Sequence, residues 1–193
     1  MSNSVGKLVI VSGPSGAGKT TVLGRLLEKS SLPLTLSVSA TTRPPRPGEK
    51  DGVAYHFLAD KEFQGRRAAG DFLECMEVFG SGYWYGTLAE TVTTSLQDGK
   101  WVVLEIDVEG SATVLQKYTD AITIFLHPGS LNELERRLRG RGTESEEKIC
   151  KRLEVAKREL TFIDRYRHDV TNGDVEQAVE ELSKILDSYQ TNG

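Results

Sequence analysis

The stretch GPSGAGKT, residues 13–20, lies between the apolar run KLVIVS and the segment TVLGRLLEK. Gly13, Gly16 and Gly18 lack a Cβ, so the backbone can curl and direct several N–H groups toward one centre. A helix that begins near Lys19 would aim the positive end of its dipole at the same centre. An ordinary glycine-rich turn is the alternative, but a strand before the stretch and a helix after it favour a loop that binds phosphates.

Two side chains of this phosphate loop (residues 13–20) carry chemistry of their own. Lys19 adds a full positive charge, and the hydroxyl of Thr20 can coordinate Mg²⁺. The spacing G-x-x-x-x-G-K-T, with Gly13 and Gly18 in fixed positions, is typical of a site for a nucleoside triphosphate.

Apolar runs alternate with helical patterns along the chain of 193 residues, a length that suits one α/β domain. Strands buried on both faces are predicted for KLVIVS (7–12), WVVLEID (101–107) and AITIFL (121–126). Helices are predicted near 19–29, 60–70, 88–98, 130–140 and 174–188, and a long helix is predicted to reach Ile163. Further strands are predicted for LTLSVSA (34–40) and DVTN (169–172). This alternation predicts a parallel sheet flanked by helices, with the ligand at the carboxyl ends of the strands.

Net charge, cysteine spacing and the lengths of the apolar runs argue against a nucleic-acid-binding protein, a zinc or disulfide protein and a membrane protein. The net charge of −4 argues against nucleic-acid binding, since a basic surface would be expected there. Cys75 and Cys150 show neither zinc-site nor disulfide spacing, so we expect reduced thiols in a cytoplasmic protein. We find no signal-peptide or membrane-spanning run, and therefore expect no membrane partner. The oligomeric state stays open between monomer and homodimer.

A second phosphate site is indicated by Arg43 and Arg46 in SVSATTRPPRPGE, on a loop stiffened by prolines. Two guanidinium groups suit a phosphate monoester, because arginine offers a planar fork of donors. A solvated basic loop is the alternative. The presence of a phosphate loop in the same chain favours a second phosphate site, because a kinase would need one for its acceptor. The phosphate loop alone leaves a kinase, an ATPase, a GTPase and a binding module open, although the N-K-x-D motif usual in GTPases is missing from the sequence.

The ordered motifs GPSGAGKT, SVSATTRPPRPGE, GVAYHF, DFLE, YWYGT, LEIDVEG, RLRGRGTESEE and KRL resemble the guanylate kinase family across nearly the whole chain. The resemblance implies a P-loop kinase fold in a single domain, residues 1–193. Its expected parts are a core (about 1–36, 91–136 and 156–193), a mixed α+β insertion that binds GMP (about 37–90) and a short helical lid (about 137–155). It also implies Mg²⁺-dependent transfer of the ATP γ-phosphoryl group to GMP, with dGMP as a further expected substrate, and closure of insertion and lid over the substrates.

The resemblance assigns the acceptor side. Guanine is expected to contact Ser39, Glu74 and Thr87, and the GMP phosphate is expected to contact Arg43, Arg46, Tyr55 and Tyr85. Glu105 and Asp107 match acidic positions near the base and the metal, although Glu105 replaces an expected aspartate. A carboxylate at residue 74 would accept from guanine N1–H and NH₂, whereas adenine presents a bare N1 acceptor.

The resemblance also assigns the donor side. The expected ATP contacts are Gly13, Pro14, Ser15, Gly16, Ala17, Gly18, Lys19, Thr20, Thr21, Arg137, Arg141 and Asn172. The expected catalytic residues are Lys19, Arg43, Arg137, Arg141 and Arg152. Thr20 and Asp107, the latter through water, are the expected metal contacts.

Two rival functions remain open at this point. Scaffold modules of the guanylate-kinase-like type keep the fold, bind phosphorylated partners and lose the lysine of the phosphate loop, whereas Lys19 and Thr20 are present here. A nucleoside monophosphate kinase for another base is the second rival.

Overall fold

The computed structural model describes residues 6–77, 82–140 and 145–190. Its strands are β1 (Leu8–Ser12), β2 (Leu34–Leu36), β3 (Ala40–Thr41), β4 (His56–Phe57), β5 (Phe72–Glu77), β6 (Trp84–Leu88), β7 (Trp101–Glu105), β8 (Ile122–His127) and β9 (His168–Thr171). Its helices are α1 (Lys19–Lys29), α2 (Asp60–Ala69), α3 (Ala89–Gln97), α4 (Val108–Leu115), α5 (Leu131–Gly140), α6 (Glu146–Leu160) and α7 (Val175–Gln190), with a 3-10 turn at Ile163–Arg165.

The strands form two sheets, one in the order β2-β7-β1-β8-β9 and the other in the order β4-β3-β6-β5. In the first sheet β8 pairs in parallel with both β1 and β9. Every residue of β1 is buried, as its continuous apolar run predicts. The second sheet is mixed, since β3 is parallel to β4 but antiparallel to β6. The predicted α/β class, a parallel sheet with flanking helices plus a mixed α+β region, is confirmed.

The chain divides into two compact units. The first comprises the described residues within Met1–Leu8, Thr35–Leu104 and Glu109–Ala121. It contains the mixed sheet, on which the fully buried Phe63 of α2 stacks against Phe72 of β5 with ring centroids 4.5 Å apart. The predicted boundaries of core, insertion and lid stay a prediction.

The second unit comprises the described residues within Val9–Leu34, Glu105–Val108 and Ile122–Gly193. Helix α1 begins directly after Gly18, whose φ of 91° lies in the left-handed region that glycine tolerates. It buries Val22, Leu23 and Leu26 and packs on α7. Helices α5 and α6 pack through a cluster of buried apolar side chains, Leu134, Leu138, Ile149 and Ala156.

Two local predictions are wrong, and one helix was not predicted. The stretch LTLSVSA is not one strand, because Leu34–Leu36 and Ala40–Thr41 belong to different sheets. The long helix ends at Leu160, before Ile163, because Thr161 and Phe162 already donate three residues back instead of four. Helix α4 was not predicted, since Gly110 in its first turn weakens the helical signal.

None of the described helices combines the length and the apolar character that a membrane span requires. Both cysteines are free thiols, Cys75 half-buried and Cys150 exposed.

Candidate active site

The phosphate loop bends through three glycines with positive φ, namely Gly13 at 144°, Gly16 at 97° and Gly18 at 91°. At Gly13 the loop passes so close to β8 that an added Cβ would lie 1.9 Å from the backbone oxygen of Leu126. Glycine is therefore required here by both the backbone angle and the space available.

Lys19 is half-buried and its side chain is turned back onto the loop, where Nζ donates to two backbone oxygens, the closer being Gly13 O at 2.6 Å. Burial lowers the pKa of Lys19, because the charged ammonium loses water. The carboxylates of Glu105, Glu159 and Asp107 oppose that shift. The loop thus holds a partly desolvated cation that interacts with three acidic side chains.

Next to Lys19, the Thr20 hydroxyl donates a 2.8 Å hydrogen bond to Glu105 Oε1. The backbone oxygen of Asp107 accepts from the Ser12 hydroxyl at 3.4 Å. The hydrogen bond from Thr20 therefore places the side chain of Glu105, a residue predicted to lie near the base and the metal, against the phosphate loop.

The oxygen atoms around Thr20 are of the chemical type that binds a magnesium ion. Hydroxyl and carboxylate oxygens are hard ligands, and Mg²⁺ in nucleotide sites is usually completed by phosphates and water. Among the described residues, no group of three or more acidic, histidine or cysteine side chains is placed to hold a metal without such help. Thr20, Glu105 and Asp107 therefore suit an ion that arrives with a triphosphate.

Arg137 of α5 is fixed by backbone oxygens of the same unit. It donates to Ala17 O at 3.3 Å and to Asn172 O at 2.6 Å, while its Nε donates to Glu133 at 2.7 Å. The Asn172 amide also donates to Ala17 O, at 2.7 Å. Its Oδ1 is buried without a hydrogen-bond partner among the described residues.

A cavity of about 410 Å³ adjoins this cluster. It is lined by Gly16, Gly18, Thr21, Arg137 and Asn172, among others. Arg152 of α6 contacts the phosphate loop directly, since it donates to the Ser15 hydroxyl at 2.6 Å. The described donor-side residues are therefore gathered in one unit, whereas Arg141 lies outside the described residues.

The predicted base-contacting residues lie in the first unit. Glu74 on β5 and Thr87 on β6 are register partners, and only 8% and 1% of their respective surfaces are exposed. The Thr87 hydroxyl donates to Glu74 Oε1 at 2.6 Å. Ser39 precedes β3 and is half-buried, and its backbone oxygen accepts from the His56 N–H.

The predicted phosphate-contacting residues cluster in the same unit. Arg43 is 9% exposed, its Nε donates to Tyr85 Oη at 3.1 Å, and its guanidinium carbon lies 5.4 Å from the ring centroid of Tyr55. The two tyrosine rings meet edge to face at 5.7 Å. The Arg46 side chain is exposed.

Two acidic residues of these sites were not assigned from sequence. Glu49 accepts from both Nη1 and Nη2 of Arg43, at 3.0 and 2.9 Å, and hydrogen bonds from Arg43 and the Arg46 N–H lower the pKa of Glu49. Its position inside SVSATTRPPRPGE was an available signal. Glu159 is buried on α6, and its place three residues after Ala156 on the apolar face could have marked it.

Known proteins that resemble this chain are guanylate kinases. The family model described as Guanylate kinase matches residues 5–189. A guanylate kinase from Rhodopirellula baltica is 54% identical over 182 residues, which is 94% of this chain and 87% of that protein. One from Clostridium perfringens (strain SM101 / Type A) is 46% identical over 184 residues, 95% of this chain and 84% of that protein.

A solved structure agrees with the sequence comparisons. The crystal structure of guanylate kinase from Anaplasma phagocytophilum superposes with a TM-score of 0.79 at 31% identity, covering 97% of this chain and 87% of that one. The fold is thus a P-loop kinase fold, and the resemblance read from the motifs is confirmed. The protein belongs to the guanylate kinase family.

Proposed function

We propose that the protein transfers the γ-phosphoryl group of ATP to GMP, giving ADP and GDP, and that it also accepts dGMP. The observation that carries the guanine assignment is the buried carboxylate of Glu74, held by Thr87. Guanine offers N1–H and NH₂ to such a carboxylate, whereas the N1 lone pair of adenine would face its oxygens. A site built on these bonds rejects the mismatched base, because its buried groups would stay unpaired.

On the acceptor side, Arg43 and Arg46 bind the GMP phosphate together with the hydroxyls of Tyr55 and Tyr85. The support is the clustering of Arg43 with both tyrosines. Ser39 adds a hydroxyl near the base.

On the donor side, the backbone N–H groups of residues 13–21 bind the ATP phosphates, and Lys19 turns from its loop oxygens to the β- and γ-phosphates. Arg137, Arg141 and Arg152 neutralise the transferring group, and Asn172 lies near the adenine. Thr20 with Asp107 and Glu105 would hold Mg²⁺, which when bound neutralises charge on the β- and γ-phosphates.

In the reaction, a phosphate oxygen of GMP forms a bond to Pγ as the bond from Pγ to the bridging oxygen of ADP breaks. No general base is needed, because the attacking oxygen is already anionic. Positioning and charge neutralisation supply most of the rate. The arginines on both substrates' sites offset the repulsion between two anions.

We further propose a single functional domain with core, GMP-binding insertion and lid, and a cytoplasmic location without nucleic-acid or membrane partners. Monomer and homodimer are both compatible with these sites.

The test is a coupled assay of ADP release with GMP, dGMP, AMP and UMP as acceptors at saturating ATP and Mg²⁺. Turnover with GMP and dGMP, and about 10⁴-fold lower efficiency with AMP, is the expected result. Equal efficiency with AMP would contradict guanine recognition. Absence of turnover with every acceptor would favour the scaffold alternative.

A further inference from the structure

We propose that Glu49 is a positioning residue for the GMP phosphate: its carboxylate fixes Arg43 and the loop 43–49, leaving one N–H of Arg43 and the charge of Arg46 for the ligand. This inference rests on the proposal that these two arginines bind the GMP phosphate.

The first support is an account of the Arg43 donors. An arginine has five N–H groups. Nε–H donates to Tyr85 Oη, and the two N–H groups of Nη1 donate to Pro44 O at 2.8 Å and Glu49 Oε2 at 3.0 Å. One N–H of Nη2 donates to Glu49 Oε1 at 2.9 Å. Within the described residues, one N–H of Nη2 is therefore left for a phosphate oxygen.

The second support is the distribution of charge. The bidentate pair with Glu49 offsets the charge of Arg43. Arg46 gives its backbone N–H to Glu49 Oε2 at 2.7 Å, while its exposed guanidinium forms no ion pair within the described part of the chain. The carboxylate thus ties down the Arg46 backbone and leaves its side-chain charge for the ligand.

A rival interpretation is that Glu49 competes with the phosphate for the fork of Arg43. The geometry disfavours release, because three donors at 2.7 to 3.0 Å converge on the carboxylate and one of them belongs to the loop backbone. If Arg43 turned to the phosphate, the Glu49 carboxylate, whose side chain is only 22% exposed, would lose its guanidinium partner. If the Arg43–Glu49 pair stays intact when GMP binds, neither side chain loses its partner.

The test is Glu49→Gln, which keeps the shape but removes the charge and turns one acceptor into a donor. We expect the KM for GMP to rise about tenfold or more, from the loss of a charge-assisted bond. The KM for ATP and the kcat should change less than about threefold. Calorimetry should show weaker binding of GMP but unchanged binding of guanosine, which has no phosphate.

The matched control is Glu62→Gln on α2, which removes a carboxylate from the exposed Arg66 in the same unit. It should leave the KM for GMP unchanged. A KM for GMP that stays constant or falls in Glu49→Gln would overturn the inference, and a fall would favour competition. Equal loss of affinity for GMP and guanosine would also overturn it, since the defect would then reach beyond the phosphate.

Arg43→Lys tests separately whether Arg43 binds the GMP phosphate and whether Glu49 positions Arg43. If this variant keeps the KM for GMP of the unmodified protein, the phosphate assignment itself fails. If Arg43→Lys raises the KM while Glu49→Gln does not, only the role of Glu49 fails.

Discussion

Thr87 Oγ1 donates a 2.6 Å hydrogen bond to Glu74 Oε1, across a register pair of β5 and β6. Side chains directly opposite on neighbouring antiparallel strands lie close enough to interact, so the sheet itself brings the two groups together. Both are buried, which makes the bond costly to lose. The hydroxyl at residue 87, expected to lie near the base, thus orients the carboxylate proposed to bind guanine.

Thr87→Val should weaken GMP recognition through Glu74. Valine keeps the branched shape but removes the hydrogen bond that Thr87 donates to a buried carboxylate, which costs about 1–3 kcal/mol. We expect the KM for GMP to rise about tenfold in steady-state assays, while Thr87→Ser, which keeps the hydroxyl, should stay near the unmodified value. A valine variant with an unchanged KM would show that the bond does not serve the ligand.

Glu74→Gln should relax base choice. The amide loses the charge and replaces one acceptor with a donor, so the affinity for GMP should fall by about 1–3 kcal/mol. The new N–H can face adenine N1, so AMP should be excluded less strictly. The measurement is the ratio of kcat/KM for GMP over AMP in both proteins. An unchanged ratio in a folded variant would show that another residue recognises guanine.

Lys19→Ala should nearly abolish turnover while GMP binding is retained. Lys19 lies in the unit that contains the phosphate loop, whereas the proposed GMP contacts Glu74 and Arg43 lie in the other. Calorimetric titration with GMP, together with a melting curve to verify folding, provides the measurement. A loss of GMP affinity as large as the loss of activity would contradict the assignment of separate donor and acceptor sites.

ATP binding should take up a proton at alkaline pH. Burial lowers the pKa of Lys19 in the free protein, and triphosphate charge favours the protonated ammonium, so binding raises that pKa. Proton uptake should appear in the pH range between the lowered pKa of Lys19 in the free protein and the ordinary lysine pKa of about 10.4. Calorimetry in buffers of different ionisation enthalpy measures it, with GMP as the control ligand. Equal uptake with both ligands would exclude Lys19 as its source.

The sequence was informative where chemistry depends on local spacing. The glycines of residues 13–18 and the start of α1 at Lys19 follow from neighbouring residues, and the structure agrees. Alternation in LTLSVSA could not reveal that Ala40 pairs with Gly86 of β6, because the alternating pattern is the same in either sheet.

Contacts between distant residues were the harder part. Arg137 reaches Ala17 O across 120 positions of sequence, which no local pattern encodes. Glu49 stands only six residues from Arg43, yet their pairing depends on the path of a proline-rich loop that propensity does not specify.

Gly13→Ala and Gly24→Ala should shift stability in opposite directions. At Gly13 a Cβ would lie 1.9 Å from Leu126 O at a φ of +144°, so the backbone must move and the free energy of unfolding should fall by about 1–3 kcal/mol. Gly24 is an exposed position of α1 with nothing within 4 Å of an added Cβ, so alanine should raise it by about 0.5–1 kcal/mol. Urea unfolding measures both, and ATP titration should show weaker binding only for Gly13→Ala. If Gly13→Ala were as stable as Gly24→Ala and bound ATP normally, the close approach to β8 would not be what requires glycine at the start of the phosphate loop.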